Sequence, residues 1–382
     1  MTEFVRKHGL TLAIAVAILV RVVVAIYTSY SPIFNENSVP ASPLHAAPSS
    51  DLHFYVNFRK LFHHEGIEHF VERYALFYLE REKQGPILAA PIFPSLLLLF
   101  DYRPRNTLPL AIFYLVLSML MAAMWLRWFH ARDMPFAWLI LFTMLPHPIW
   151  FTLNVGSDLL GALFFAGFFI SYFGDETNPR RHGWAILFAV LLLFTRPNGV
   201  SIVLFFIIDK YFLNRKSVIE NWIIHIIIFI VVASPLVVFY FPYLYDYIAS
   251  TLKLTYFGYS KVEYLTGIFD FLPYWLNLLL SWLSLIGAKV LYLLGLRPSF
   301  GDTNWIIVLL RSLPGLMFLP GLLYFLVRGE RSQILLIVLF LLPILLGGPQ
   351  DRYTVPIQPV LYFFGTVAYI SIWRSIRKRM QF

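Results

Sequence analysis

The sequence predicts an all-α polytopic membrane protein with about 10–12 transmembrane helices and a long first outer loop carrying juxtamembrane helices. Three observations predict it. The 382 residues are 59% hydrophobic and only 13% charged, where a soluble domain carries about 25% charge. Apolar runs near 20 residues recur along the whole chain; they are continuous rather than alternating, which argues against a β-barrel. The basic residues sit in short clusters between these runs, as membrane orientation requires. That clustering also explains the net charge of +9 without a nucleic-acid partner. With no cysteine present, disulfides, thiolate metal sites and cysteine nucleophiles are excluded. No polar run is long enough to bury a core of its own, so residues 1–382 read as one transmembrane domain.

Taken in order, candidate spans cover 9–29, 107–129, 134–153, 157–173, 183–195, 199–213, 219–241, 303–327, 332–347 and 354–373. The first follows Arg6 and Lys7 and lacks a small-residue cleavage site, which reads as a retained span. Basic connections at 127–133, 178–182 and 209–216 then belong with the N-terminus in the cytoplasm. That alternation holds only if 85–100 does not cross. Pro86, Pro91 and Pro94 support a dipping or interfacial helix there. The same charge test at 272–296 favours either no crossing or a hairpin of two. Both termini are then cytoplasmic, with outer regions at 31–106 and 242–302, the second holding a re-entrant or hairpin helix.

Four polar clusters fall on the outer face under this alternation. The first lies in Ser31–Gln84, which holds seven of the 21 acidic residues and five of the ten histidines. Its centre reads Ser49-Ser50-Asp51-Leu52-His53-Phe54-Tyr55. A carboxylate at a dry interface suits a general base, because desolvation favours its protonated form; the competing reading of Asp51 is a solvated loop residue. The second cluster is Asn154-Val155-Gly156-Ser157-Asp158. Asp158 reads as a second catalytic acid that orients a hydroxyl or a metal ion, or as a helix-capping or first-turn acid. The third is Thr195-Arg196-Pro197-Asn198-Gly199, where Arg196 sits between two apolar runs and can meet a phosphate in a forked geometry. Its competing reading is a snorkelling anchor. The fourth is Gln350-Asp351-Arg352-Tyr353. Candidate substrate-binding residues are therefore His53, Tyr55, Arg196, Asn198, Gln350, Asp351, Arg352 and Tyr353. Arg21, Lys289 and Arg311 lie inside apolar runs with no specific role. The histidines lack metal-ligand spacing, no HExxH motif occurs, and no Gly-rich nucleotide loop is present.

At these residues the chain resembles integral-membrane glycosyltransferases of the GT-C superfamily, in the branch of the second GPI mannosyltransferase, protein O-mannosyltransferases and bacterial aminoarabinose transferases. The likeness runs from about residue 10 to 210, with a weaker echo at 345–373. It rests on order: Asp51 after the first span, the Pro-containing helix from Gly85-Pro86 to Pro94, Ser157-Asp158 opening a later span, Thr195–Gly199 between two short spans, and Arg352-Tyr353 with Pro356 near the end. The resemblance implies a polyprenyl-phosphate-linked sugar donor, Asp51 as base, and Arg196 or Arg352 near the donor phosphate. The acceptor expected with such a donor is a lipid-linked or cell-envelope glycan at the outer face of the plasma (inner) membrane, its identity left open. Asp51 lacks a second acid beside it, so no cofactor is assigned and a divalent metal lacks support. Two other classes fit the same composition. A lipid-linked oligosaccharide flippase would also carry intramembrane arginines and broken helices. An O-antigen-type polymerase would use basic residues of two outer loops and would not need Asp51.

Overall fold

The computed structural model describes residues 2–30, 47–48, 92–100, 107–150, 152, 154–174, 180–196, 199–209, 267–296, 309, 312–346 and 351–380. Among these residues the fold is helical, with one two-residue parallel strand pair. The chain divides into two units, Met1–Gly199 and Val200–Phe382.

The first unit opens with α1 (Thr2–Tyr30). Its buried face is Ala13, Ala17, Arg21 and Ala25, while Ile18, Leu19, Val23 and Ile26 are exposed. This inverts the pattern of a soluble helix, which turns its bulky apolar residues inward. Small residues at every fourth position let neighbouring helices approach closely. Against that face pack α3 (Leu108–His130) and α4 (Phe136–Thr143). Between α1 and α3 lie β1 (Ala47–Pro48) and the short α2 (Ile92–Leu99). At 8 residues, α2 is about 12 Å long, far too short to cross a bilayer.

The expected single helix over 134–153 is instead two: α4, then α5 (Pro146–Trp150) after a break at Met144 and Leu145. Pro146 and Pro148 account for the break, since each lacks an N–H for the helical ladder. Next come β2 (Asn154–Val155), α6 (Ser157–Tyr172) and α7 (Arg181–Leu193), with α6 packed on both α3 and α7. The core between α3 and α6 is aromatic: Trp125 and Trp128 meet Phe169 with ring centroids 5.6 and 5.5 Å apart, in the tilted and edge-on arrangements such rings favour.

In the second unit, α8 (Gly199–Ile208) starts at Gly199, the last residue of the first, and is followed among the described residues by α9 (Tyr274–Leu293). Of the two alternatives at 272–296, no crossing or a hairpin of two, the hairpin is not formed: α9 is one uninterrupted helix of 20 residues. Between Tyr274 and Leu293 the run holds no proline and a single glycine, Gly287, which the helix carries without a break. Then follow α10 (Gly315–Arg328), α11 (Arg331–Leu346) and α12 (Gln358–Arg379). The expected span at 303–327 is helical without interruption only from Gly315, just after Pro314. Helices α10 and α12 meet at Gly321 and Gly365, where an added Cβ would run into the carbonyl groups of Leu361 and Met317 respectively.

Among the described residues three helices are long and apolar enough to cross a membrane, by length and composition: His8–Tyr27, Leu108–His130 and Tyr274–Leu293. Five further apolar helices are shorter. The expected span at 219–241 and most of the 31–106 region lie outside the described residues.

Candidate functional site

Residues 152 and 154–156, in the link between α5 and α6, are the frame on which the candidate site is built. Two residues of α3, one helical turn apart, hold its two ends. Tyr114 Oη donates to the Gly156 carbonyl at 2.6 Å, and the Ser118 and Thr152 hydroxyls share a hydrogen bond of 2.9 Å. Arg21 of α1 joins the same chain, its Nε donating to Ser118 Oγ at 2.9 Å and its Nη1 to the Ala17 carbonyl at 3.2 Å. Within the link, Asn154 and Val155 pair in parallel with Ala47 and Pro48. Two residues of the Ser31–Gln84 segment, Ala47 and Pro48, are thereby laid beside the second polar cluster.

Asp158 follows in the first turn of α6. Gly156, in extended conformation, occupies the N-cap, so neither Asp158 nor Ser157 caps the helix. A first-turn carboxylate is favoured by the helix dipole. Its main feature is different: Asp158 Oδ1 accepts a hydrogen bond from Arg196 Nη1 in a buried ion pair, the side chains being 3% and 10% exposed. Arg196 is placed by the end of α7. Thr195 Oγ1 folds back on the Leu191 carbonyl at 2.6 Å, and the Arg196 and Gly199 amides bond to the carbonyls of Leu192 and Arg196, each at 2.9 Å. Gly199 fits here because a Cβ would strike the backbone of Leu193. The stem of Arg196 then lies across Gly161, where an added Cβ would stand 2.7 Å from Arg196 Cδ. Gly161 is three residues beyond Asp158, on the same helix face. The amide of Ile92, at the start of α2, reaches the same corner by bonding to the Phe194 carbonyl at 3.1 Å.

Polarity separates the two ends of this unit. Tyr114, Gly156, Asp158 and Arg196 gather at one end of α3, α6 and α7. At the other end Arg132 covers Trp128, its guanidinium 3.8 Å from the ring centroid, and bonds to the Phe173 carbonyl at 3.3 Å. Arg127, in the last turn of α3, and Arg181, the first residue of α7, belong to that opposite end.

The structure thus brings together Asp158 and Arg196, which the sequence presents separately as a second acid and a phosphate ligand. Asp51, His53, Tyr55, Asn198 and Gln350 lie outside the described residues, as do the side chains of Asp351 and Arg352 and, among the unassigned arginines, Arg311. Asp351–Thr354 forms a 3₁₀ turn in the second unit, with Tyr353 half-buried. Thr354 Oγ1 ties that turn to α9 through the Leu293 carbonyl at 3.1 Å, and Gln358 Nε2 bonds to Thr354 Oγ1 at 3.1 Å. Lys289 is buried in α9 and donates to the Leu345 carbonyl at 2.8 Å, in the last turn of α11. Sequence reasoning missed Tyr114, Ser118, Thr152 and Gly161. Only Gly161 carried a signal, as a glycine one turn beyond Ser157-Asp158. Among the described residues no group of three or more His, Asp or Glu side chains is placed to hold a metal ion. Comparison with protein-family profiles, curated proteins and solved structures finds no match to this chain.

Proposed function

We propose that this chain is an integral-membrane glycosyltransferase of the GT-C type, moving a sugar from a polyprenyl-phosphate-linked donor to a lipid-linked or cell-envelope glycan acceptor. The observation that carries the reading is the pairing of Ala47–Pro48 with Asn154–Val155 beside the buried Asp158–Arg196 pair. Two of the motifs on which the resemblance rests, Ser157-Asp158 and Thr195-Arg196, are therefore neighbours in one unit. Asp51 follows Pro48 by three residues, a covalent reach of about 11 Å at most. The inverted polarity of α1, with bulky apolar residues outward and Arg21 inward, supports a polytopic membrane placement. In this reading the site faces outward and both termini are cytoplasmic, on the side of the Arg127–Arg132–Arg181 end.

The chemistry assigned is a substitution at the anomeric carbon. The acceptor hydroxyl attacks while Asp51 removes its proton. The departing lipid phosphate gains charge, and Arg196 stabilises it in a site of low dielectric. Asp158 holds the guanidinium in place for that contact. A lipid donor also accounts for a catalyst made of spans, since its tail stays in the bilayer.

The test is Asp51→Asn in purified protein reconstituted in nanodiscs, with donor binding and sugar transfer measured separately. Loss of the base is expected to lower transfer by roughly 10²–10⁴-fold while donor binding is kept. Wild-type transfer by this variant would end the reading. A flippase would lose binding and transport together or not at all, and a polymerase built on basic loops would tolerate the change.

A further inference from the structure

Helix α12 leaves the body of its unit at Tyr369. Up to Ala368 it is largely buried, and Tyr369 Oη ties it to the Leu316 carbonyl at 2.7 Å. From Ser371 to Met380 every residue is exposed. This projecting segment is sharply two-sided. At 3.6 residues per turn, Tyr369, Ile372, Trp373, Ile376 and Met380 fall within roughly 100° of arc. Arg374, Arg377, Lys378 and Arg379, with Ser371 and Ser375, occupy the rest. On this arc Ile372, Trp373 and Met380 are 54%, 62% and 68% exposed. The cations have no carboxylate on their own element to meet, since the last acidic residue of the chain is Asp351.

From this arrangement we propose that Ile372–Met380 is a docking surface for anionic membrane lipid. Cations in number, with an apolar arc beside them, match a surface that offers phosphates and hydrocarbon together. Guanidinium groups meet lipid phosphates in forked pairs, while Ile372, Trp373, Ile376 and Met380 enter the boundary between headgroups and acyl chains. A nucleic acid would satisfy the cations and leave the apolar arc in water. The inference rests on the membrane placement of the chain but not on the transferase chemistry. It assigns the basic end of α12 a ligand in addition to its effect on orientation.

The chain lacks cysteine, so a single introduced thiol can be labelled cleanly. Full-length Ile376→Cys carrying a polarity-sensitive fluorophore is placed in phosphatidylcholine nanodiscs, with and without phosphatidylglycerol. Leu19→Cys, on the exposed face of α1, is the control. The expected result is a Leu19→Cys label in an apolar environment in both lipids. The Ile376→Cys label should move to an apolar environment only with phosphatidylglycerol. High salt should reverse that move, and the combined Arg374→Gln, Arg377→Gln, Lys378→Gln and Arg379→Gln background should abolish it. A water-exposed Ile376→Cys label in anionic discs, with Leu19→Cys embedded, overturns the docking surface and leaves the membrane placement standing. Both labels in water overturn both. An equal shift in neutral discs removes the anionic preference. A shift of the same size on adding RNA or an acidic polypeptide to neutral discs transfers the surface to a macromolecular polyanion and overturns the proposal.

Discussion

At the scale of single residues, the Asp158–Arg196 pair has the largest energetic consequence. Both side chains are nearly removed from solvent, so losing one partner takes a charge-assisted bond from the other where water does not readily replace it. Each of Asp158→Leu and Arg196→Met is expected to destabilise the protein by about 3–5 kcal/mol, while the double variant lies close to wild type. Unfolding of the purified protein in micelles, followed by tryptophan fluorescence, reads the cycle; additive single effects would show that the two groups do not depend on each other. Arg196→Lys asks a different question, because it keeps the charge and loses the fork. Under the transferase reading it should weaken donor use by about 1–3 kcal/mol. If turnover survives in both Arg196→Lys and Arg196→Ala, the arginine serves only to neutralise Asp158.

At the scale of elements, the link 152–156 depends on α3. Tyr114 and Ser118 are spaced four residues apart and so face the same way, and they hold Gly156 and Thr152 at the two ends of the link. Tyr114→Phe removes one donor and leaves the Gly156 carbonyl without it in a buried place. The expected cost is about 1–3 kcal/mol in unfolding free energy. Hydrogen–deuterium exchange should also rise in 152–160 before it rises elsewhere in the first unit. Unchanged exchange there would mean that the strand pairing alone holds the link. Helix α9 is the element that departs most from its expected form. As one helix of 20 residues it measures about 30 Å, enough for a single crossing.

At the scale of the whole molecule, the number of crossings depends on whether that single helix spans the membrane. A lone crossing by α9 reverses the side of everything after it unless a segment outside the described residues compensates. Cysteine labelling decides the matter in this cysteine-free chain. Thiols at positions 45 and 198 are expected on one side of the membrane and a thiol at 2 on the other. Position 350 joins 45 and 198, and 378 joins 2, if 268 and 298 label from the same side. Labelling of 268 and 298 from opposite sides moves 350 and 378 each to the other side unless a segment outside the described residues compensates. Position 198 labelling from the side of position 2 would separate the first unit's polar end from the outer face. The shared site would fall with it.

By itself the sequence determined helical character, the positions of most helices and the residues worth watching. Those properties are local. Continuous apolar runs, prolines at 86, 91 and 94, and arginines between apolar stretches each act through a few neighbouring residues. Asp158 and Arg196 stood out for that reason, as charges at the edges of apolar segments. Only the tertiary structure decided that they are partners, because they lie 38 positions apart and pairing depends on how α6 and α7 pack. It also decided the strand contact between 47–48 and 154–155, the bonds of Tyr114 and Ser118, and the room that Gly161 leaves for an arginine stem. None of these has a periodicity or a motif to reveal it; each arises from the approach of surfaces distant in the chain. The break between α4 and α5 was written in Pro146 and Pro148 but masked by the apolar residues around them. The unbroken run of α9 shows the opposite case, in which the balance of charges on distant loops pointed one way and local helix propensity held the other.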